Sequence, residues 1–177
     1  MLVVFGGLPG TGKTTLARLL ARRQRASYLR VDAIEAAVIA AGLVGDQAGV
    51  GPAGYVIANR VAEDCLRAGL DVVVDAVNPV EVARRGWREL ATSTAVELVF
   101  VEVVCSDAEL HRRQVEKRRS DLAGWVAPNW QAVVDRAYEP WQGDRLVIDN
   151  IGDPELHLER LLAALPAAGS GHPIPDG

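Results

Sequence analysis

The feature that most constrains this chain is a glycine-rich segment near its N-terminus, GLPGTGKTT at residues 7–15. It has the spacing Gly, four residues, Gly-Lys-Thr, and it lies between an apolar run at residues 2–5 and an amphipathic stretch at residues 16–21. A strand, a loop and a helix in this order are the context in which such a segment binds phosphate. We therefore expect a bound nucleoside triphosphate here. The alternative is a glycine-rich turn between strand and helix without a ligand.

Each residue type in this segment has a physical reason to contact a nucleotide. Glycines allow backbone conformations, and a close approach to phosphate oxygens, that a Cβ atom would block. The loop amides and the N-terminus of the next helix present donors and a partial positive charge to an anion. Lys13 is predicted to reach the β- and γ-phosphates, and the Thr14 hydroxyl to bind Mg²⁺. The predicted nucleotide-binding residues are Gly7, Pro9, Gly10, Thr11, Gly12, Lys13, Thr14 and Thr15.

Strand-like and helix-like segments alternate along the rest of the chain. The segments that predict strands are residues 2–5, 27–31, 71–75, 96–105 and 145–149, each followed by a helical pattern. Strands that alternate with helices predict an α/β domain of three layers around a five-stranded parallel sheet. This is the architecture in which a phosphate-binding loop normally follows the first strand.

Length and composition limit the classes of protein that fit. A chain of 177 residues suits one domain, which we expect to span residues 1–165, with a flexible Gly/Pro-rich tail at residues 166–177. No apolar run approaches the ~18 residues that a membrane helix needs, so no membrane partner is expected. The net charge of −4 provides no overall positive field for nucleic acid. Met1 leads directly into an apolar strand without a leader pattern, and a cytoplasmic location is expected.

Two aspartates follow predicted strands and are candidate site residues. Ligands of such sheets bind beyond the carboxyl ends of the strands. Asp75 follows three valines and is predicted to position Mg²⁺, directly or through water. Its alternative role is to cap the next helix or to bond loop amides. Asp32 ends the second strand and is predicted to accept the proton of an attacking hydroxyl. Its alternative role is the N-cap of a helix at residues 33–41, and one residue can serve both purposes.

Phosphoryl transfer also needs positive charge directed at the transferred group. The predicted helix at residues 108–119 is rich in arginine. Arg113 and Lys117 are four residues apart and share a face, and Arg118 is within reach if the helix ends there. We predict that Arg113 and Arg118 are catalytic cations on a lid that closes over ATP. The alternative is a solvated basic face.

Three residues are predicted to contact the acceptor substrate, namely Asp32, Asn78 and Arg84. Asn78 follows the third strand, and Arg84 lies early in the helix after it. An arginine at this position can hold the acceptor or its phosphate, although a plain surface role is equally compatible with the sequence.

Together these residues resemble the small P-loop kinases. This broad group, which also goes by the description AAA-type ATPase domain, includes chloramphenicol phosphotransferase, zeta toxins, gluconate kinase and the kinase domain of polynucleotide kinase. The resemblance rests on residues 7–15, Asp32, residues 72–79 and the helix with Arg113 and Arg118, and it extends to about Ala164. It implies an adenylate-kinase-like fold, a carboxylate base at Asp32 and lid arginines on the phosphates.

The function that these patterns favour is ATP- and Mg²⁺-dependent phosphorylation of a hydroxyl on a small molecule, such as an antibiotic or a sugar-like metabolite. One alternative is a kinase that acts on a nucleic-acid end or a nucleotide-sugar, against which the acidic pI of about 5.4 weighs. Another is a nucleotide-dependent switch or binding ATPase. The glycine-rich loop at residues 42–54 differs from the acceptor regions of nucleoside monophosphate kinases.

Overall fold

A computed structural model describes residues 1–123 and 125–166 of the chain. Within these residues five strands form one sheet in the order β2-β3-β1-β4-β5, and every neighbouring pair is parallel. The strands are β1 (Leu2–Gly6), β2 (Ser27–Arg30), β3 (Val72–Asp75), β4 (Leu98–Val104) and β5 (Leu146–Asp149). The predicted five-stranded parallel sheet is confirmed.

The helices fill the connections between the strands. They are α1 (Lys13–Gln24), α2 (Val31–Ala40), α3 (Gln47–Val50), α4 (Ala53–Arg67), α5 (Glu81–Thr94), α6 (Ala108–Lys117), α7 (Trp130–Val134) and α8 (Pro154–Ala164). None of the helices described is long and apolar enough to cross a lipid bilayer.

The sheet is covered on both faces because side chains of a strand point alternately to its two sides. Leu2 and Val4 of β1 pack with residues of α4 and α5, such as Ala58 and Trp87. The alternate residues Val3 and Phe5 belong to the other core cluster, which includes apolar residues of α1 and α8. The strands therefore contain near-continuous apolar runs, as parallel sheets require, and the layers are helix, sheet and helix.

The register of the sheet brings the ends of three strands to one edge. Asp75 at the end of β3 pairs with Phe5 of β1 on one side and with Arg30 of β2 on the other. The loop that follows β1 therefore lies beside the residues that follow β2 and β3. The candidate site is built at this edge.

Several element boundaries differ from the sequence prediction. The helix after β2 begins at Val31 with Arg30 as its N-cap, so Asp32 lies in its first turn instead of capping it. A short helix, α3, interrupts the glycine-rich loop at residues 42–54. Helix α6 ends at Lys117, and Arg118 already has extended backbone angles. The predicted tail lies outside the described residues from residue 167 onward, and the domain limits stay a prediction.

Candidate functional site

The segment at residues 7–15 borders a cavity of about 560 Å³, which we call the loop cavity. The loop and α1 line one side of it, and the end of β2, α6 and the segment after β5 line the others. The residues involved include Gly10, Gly12, Lys13, Thr14, Thr15, Arg18, Arg30, Gln114, Arg118 and Asn150. The cavity thus combines a helix N-terminus with several cationic side chains, as an anion-binding site requires.

Helix α1 begins at Lys13, directly after the glycine loop. Its N-cap, Gly12, has a φ of +87° and no side chain that could cap the helix. The first backbone N–H groups of a helix have no i−4 partner within it. The Thr15 N–H donates to the Gly12 carbonyl at 3.1 Å, whereas among the described residues those of Lys13 and Thr14 have no partner and are left for a ligand in the loop cavity. Thr11 is buried, and its hydroxyl donates to the Leu8 carbonyl at 2.9 Å, which supports the shape of the loop. The Thr11 side chain therefore stabilises the loop from within the protein.

Lys13 lies where the loop cavity meets a second space, and it borders both. It is only 4% exposed. Burial lowers the pKa of its ammonium group, the carboxylates of Asp75 and Asp32 raise it, and Arg118 and Arg30 lower it again. A triphosphate would add negative charge beside the ammonium group and favour its charged form.

The second space, which we call the side cavity, has a volume of about 700 Å³. Its walls come from α2, α4, the segment after β3, and residues 125–136. Asp32 and Glu35 are three residues apart on α2 and both line this cavity, opposite Arg136. Apolar and aromatic side chains line the remainder, including Val31, Tyr55, Val77, Trp125 and Val126. A cavity of this size and mixed character suits a small organic molecule.

Asp32 is held between two arginines at the boundary of the cavities. Its Oδ2 lies 3.8 Å from Arg30 Nη2 and 3.9 Å from Arg118 Nη2. Arg118 lines both cavities. The predicted base and one predicted lid arginine are thus neighbours, at the point where a phosphoryl group would pass from one cavity to the other.

Thr14 in the first turn of α1 and Asp75 at the end of β3 fit the Mg²⁺ that a P-loop kinase fold implies. Thr14 lines the loop cavity, and the Asp75 carboxylate is buried, with Oδ2 accepting a hydrogen bond from Tyr28 Oη at 2.8 Å. Hydroxyl and carboxylate oxygens are hard ligands of the kind Mg²⁺ prefers, and this ion keeps several waters and phosphate oxygens. Thr14 would bind it directly, and Asp75 would act through water.

Asn78 does not contact the acceptor space, contrary to the sequence prediction. It is completely buried. Its Nδ2 donates to the Phe5 carbonyl at 2.8 Å, and its Oδ1 accepts from Trp87 Nε1 at 2.9 Å. Its backbone N–H donates to Tyr55 Oη at 3.0 Å. Because both ends of the amide are used within the protein, Asn78 anchors the segment after β3 to β1.

Arg84 is likewise structural and is completely buried. Its guanidinium donates to the carbonyls of Asn78 at 3.0 Å, Pro140 at 3.0 Å and Glu139 at 2.7 Å. It also lies over the Trp141 ring, 4.2 Å from the centroid. These bonds tie the segment after β3 to residues 139–140 and leave the guanidinium no access to a substrate.

Arg113 also lies outside the site, because of the rotation of α6. Residues Leu110, Gln114 and Arg118 lie four apart and form the face toward the loop cavity. His111 and Val115 form the buried face, whereas Arg113 is exposed and lines neither cavity. Periodicity alone cannot tell which face of a short polar helix packs inward.

His111 supports the glycine loop, a role that the sequence did not reveal. Its Nε2 lies 2.8 Å from the Pro9 carbonyl of the glycine loop. Its ring also meets the Trp130 ring edge-on, with centroids 5.2 Å apart. The sequence shows only a histidine four residues after Asp107, the N-cap of α6, and that position is not diagnostic.

The AAA domain family matches residues 2–140 of the chain. No curated protein matches it in sequence. Solved structures with a similar fold include a proposed kinase from Chloroflexus aurantiacus J-10-fl, with 20% identity, 93% of this chain and 98% of that chain covered, and a TM-score of 0.73. A sugar kinase from Janibacter sp. HTCC2649 is 20% identical, with 92% of each chain covered and a TM-score of 0.67.

An APS kinase from Mycobacterium tuberculosis, solved in complex with AMPPNP and APS, has the same fold. It is 18% identical, with 92% of this chain and 95% of that chain covered and a TM-score of 0.69. At these identities the similarity establishes a shared fold and leaves the substrate of this chain to its own residues.

Proposed function

The chain belongs to the AAA domain family and has the fold of the small P-loop kinases, and on this premise we propose that it transfers the γ-phosphoryl group of ATP to a hydroxyl of a small molecule. The observation that carries the proposal is the meeting of two cavities at Lys13 and Arg118, with Asp32 in the second of them. A phosphotransferase needs a place for each of two substrates. A hydrolytic switch needs only the loop cavity.

The geometry supports a direct transfer. The acceptor hydroxyl would lie beside Asp32, whose carboxylate accepts the proton as the oxygen attacks the γ-phosphorus. The bond from the γ-phosphorus to the bridging oxygen breaks, and ADP and the phosphorylated acceptor are the products. Lys13 and Arg118 would stabilise negative charge on the transferred group. Mg²⁺ would neutralise charge on the phosphate oxygens when it is bound at Thr14.

The lining of the side cavity supports a small organic acceptor. Asp32 and Glu35 place two carboxyl groups there that can form hydrogen bonds with hydroxyls, and Lys13, Arg118 and Arg136 line the same cavity. The apolar wall suits the carbon skeleton of an antibiotic or a sugar-like metabolite.

The test is a transfer assay with purified protein, ATP and Mg²⁺ against pooled hydroxylated antibiotics, sugars, nucleosides and short RNA. Mass spectrometry detects the added phosphoryl group. We expect Asp32→Asn to lower transfer by roughly 100-fold or more, because the proton acceptor is lost, and to leave AMPPNP affinity within about threefold of wild type. Lys13→Ala should abolish both nucleotide binding and transfer.

A matched control is Asp64→Asn, the same substitution at an exposed position on α4. It should transfer at the wild-type rate. Wild-type transfer by Asp32→Asn would refute the role of Asp32 as base. Phosphorylated RNA would favour the nucleic-acid alternative, and ATP hydrolysis without a phosphorylated compound would favour the switch.

A further inference from the structure

Asp121 joins two arginines at the loop cavity. Its Oδ2 lies 2.9 Å from Arg18 Nη2, and its Oδ1 lies 2.8 Å from Arg30 Nη1. Arg30 Nη1 also donates to Oδ2 at 2.9 Å. Hydrogen bonds from the two arginines hold the pKa of the Asp121 carboxyl well below its usual range, so the group is an anion at neutral pH. All three residues line the loop cavity.

Arg30 is a buried cation whose hydrogen bonds are incomplete. Its side chain is 4% exposed, and among the described residues its Nε has no hydrogen-bond partner. It follows from the sheet register that Arg30 lies next to Asp75, and its Nη2 is 3.8 Å from Asp32. A guanidinium has five N–H donors in a planar fork that fits carboxylate and phosphate oxygens alike. Arg30 is therefore positioned for an anion in the loop cavity.

The two ends of the Asp121 ion pairs differ in how firmly they are held. Arg30 ends β2 inside the protein, whereas the Asp121 side chain is 49% exposed and lies beyond the end of α6. Because solvent screens an exposed ion pair, the Asp121 carboxylate can exchange its arginine partners for water. Arg30 would stay in place.

The charges around the loop cavity explain why a carboxylate lies there. Four cations, Lys13, Arg18, Arg30 and Arg118, surround the cavity or border it. The aspartates that accompany them are Asp32 in the first turn of α2, Asp75 at the end of β3, and Asp121. Asp121 is the one of these three that no strand or helix holds in place, and its departure would leave the cations to a triphosphate.

We propose that Arg30 and Arg18 bind phosphate oxygens of ATP, and that the Asp121 carboxylate occupies these arginines until ATP displaces it. The inference rests on the proposed function, since it requires a triphosphate in the loop cavity. Asp121 thereby competes with the nucleotide for the same guanidinium groups. Arg30 thereby provides a phosphate-binding group at the end of β2, in addition to those of the glycine loop and the arginines of α6.

The test measures binding of Mg²⁺-AMPPNP, and of adenosine as a probe without phosphate, to wild type and to Asp121→Asn. Removing the competing carboxylate should tighten Mg²⁺-AMPPNP binding by between about threefold and thirtyfold and leave adenosine binding unchanged. Arg30→Lys should weaken Mg²⁺-AMPPNP binding. Because a buried arginine can also be needed for folding, Asp121→Asn is the deciding variant.

Glu116→Gln is the matched control. It removes the same formal charge from the same segment and breaks an ion pair of similar length, with Arg112 at 2.8 Å, which does not line the loop cavity. This variant should bind Mg²⁺-AMPPNP as wild type does. If both variants bound Mg²⁺-AMPPNP more tightly to the same extent, the cause would be the change in net charge, and the inference would be refuted.

Unchanged or weaker binding by Asp121→Asn would also overturn the inference, because Asp121 would then merely hold Arg30 in position. In that case wild type still binds Mg²⁺-AMPPNP, and the proposed function stands. Failure of wild type itself to bind Mg²⁺-AMPPNP would overturn the proposed function and this inference together.

Discussion

Two carboxyl groups of the side cavity have different surroundings. Asp32 lies within 4 Å of two arginines, as described above. Glu35 packs against Gly54, where an added Cβ would lie 2.3 Å from Glu35 Cγ. Burial, together with the smaller effect of the Asp32 charge, raises the pKa of Glu35 to about 7, although Arg136 acts to lower it. Glu35 is therefore partly protonated at neutral pH and can either donate a hydrogen bond to an acceptor molecule or accept one from it.

This raised pKa has a consequence for stability. Between pH 4.5, the ordinary pKa of a glutamate side chain, and about pH 7, the folded protein binds more protons at Glu35 than the unfolded chain does. Stability must then fall as the pH rises through this window and level off above it.

We expect Glu35→Gln to flatten the pH dependence of the melting temperature between pH 5 and pH 8. At pH 8 the variant should be more stable than wild type by on the order of 1 kcal/mol, which is about 2–4 °C for a chain of this size. Thermal unfolding followed by circular dichroism measures the difference. Glu89→Gln, at an exposed carboxyl on α5, is the control and should retain the wild-type profile. Parallel profiles of wild type and Glu35→Gln would contradict the prediction.

Among the helices, α6 is held directly against the glycine loop. His111 contacts the Pro9 carbonyl, and Val115 lies over Gly10, where an added Cβ would lie 2.4 Å from Val115 Cγ2. Gly10 also has a φ of +86°. The glycine at this position is therefore needed for two reasons, namely backbone conformation and the close approach of α6. Helix α6 and the glycine loop therefore form one packed unit.

Gly10→Ala should displace α6 and weaken Mg²⁺-AMPPNP binding by about tenfold or more, since the loop and the helix cannot both keep their positions. Gly69→Ala is the control, because Gly69 has a similar φ of +80° and nothing within 4 Å of an added Cβ. Both variants carry the backbone strain of about 1–2 kcal/mol, but only Gly10→Ala should lose nucleotide affinity. Calorimetric titration gives the affinities. Equal losses would show that strain alone is responsible.

At the scale of the molecule, the loop cavity is assembled from distant parts of the chain. The glycine loop, the end of β2, α6 and Asn150 after β5 meet only in the folded sheet. Asn150 Nδ2 donates to the Thr11 carbonyl at 2.9 Å and so links β5 to the loop. A ligand of this cavity binds the folded state and not the unfolded chain, and must therefore stabilise the whole domain.

Mg²⁺-AMPPNP at a hundred times its dissociation constant should raise the free energy of unfolding by about 2.7 kcal/mol. For a chain of this size that corresponds to roughly 5–10 °C in melting temperature. A melting-temperature scan against nucleotide concentration measures the effect. Lys13→Ala should show no such rise. A wild-type melting temperature that is independent of nucleotide would contradict the proposed function.

The sequence alone determines those features whose physical requirements are met by residues close together in the chain. Glycine spacing and flanking residues are sufficient to predict the loop at residues 7–15, because each requirement is met within a few residues. Alternating strand and helix patterns predict the parallel sheet, and the rule that ligands bind beyond strand ends brings Asp32 to the site. The family match and the similar folds agree with the resemblance to P-loop kinases.

Only the tertiary structure decides which side chains enter the site from elsewhere. The packing of α6 on the loop through His111 and Val115 determines its rotation, and therefore turns Arg118 inward and leaves Arg113 in solvent. Arg84 is buried because its guanidinium donates to the carbonyls of Glu139 and Pro140, which lie 55 and 56 residues away in the sequence. The contact of Arg30 with Asp121 spans 91 residues. Pairings of this kind depend on strand order and helix rotation, which the chain acquires only when the whole core forms.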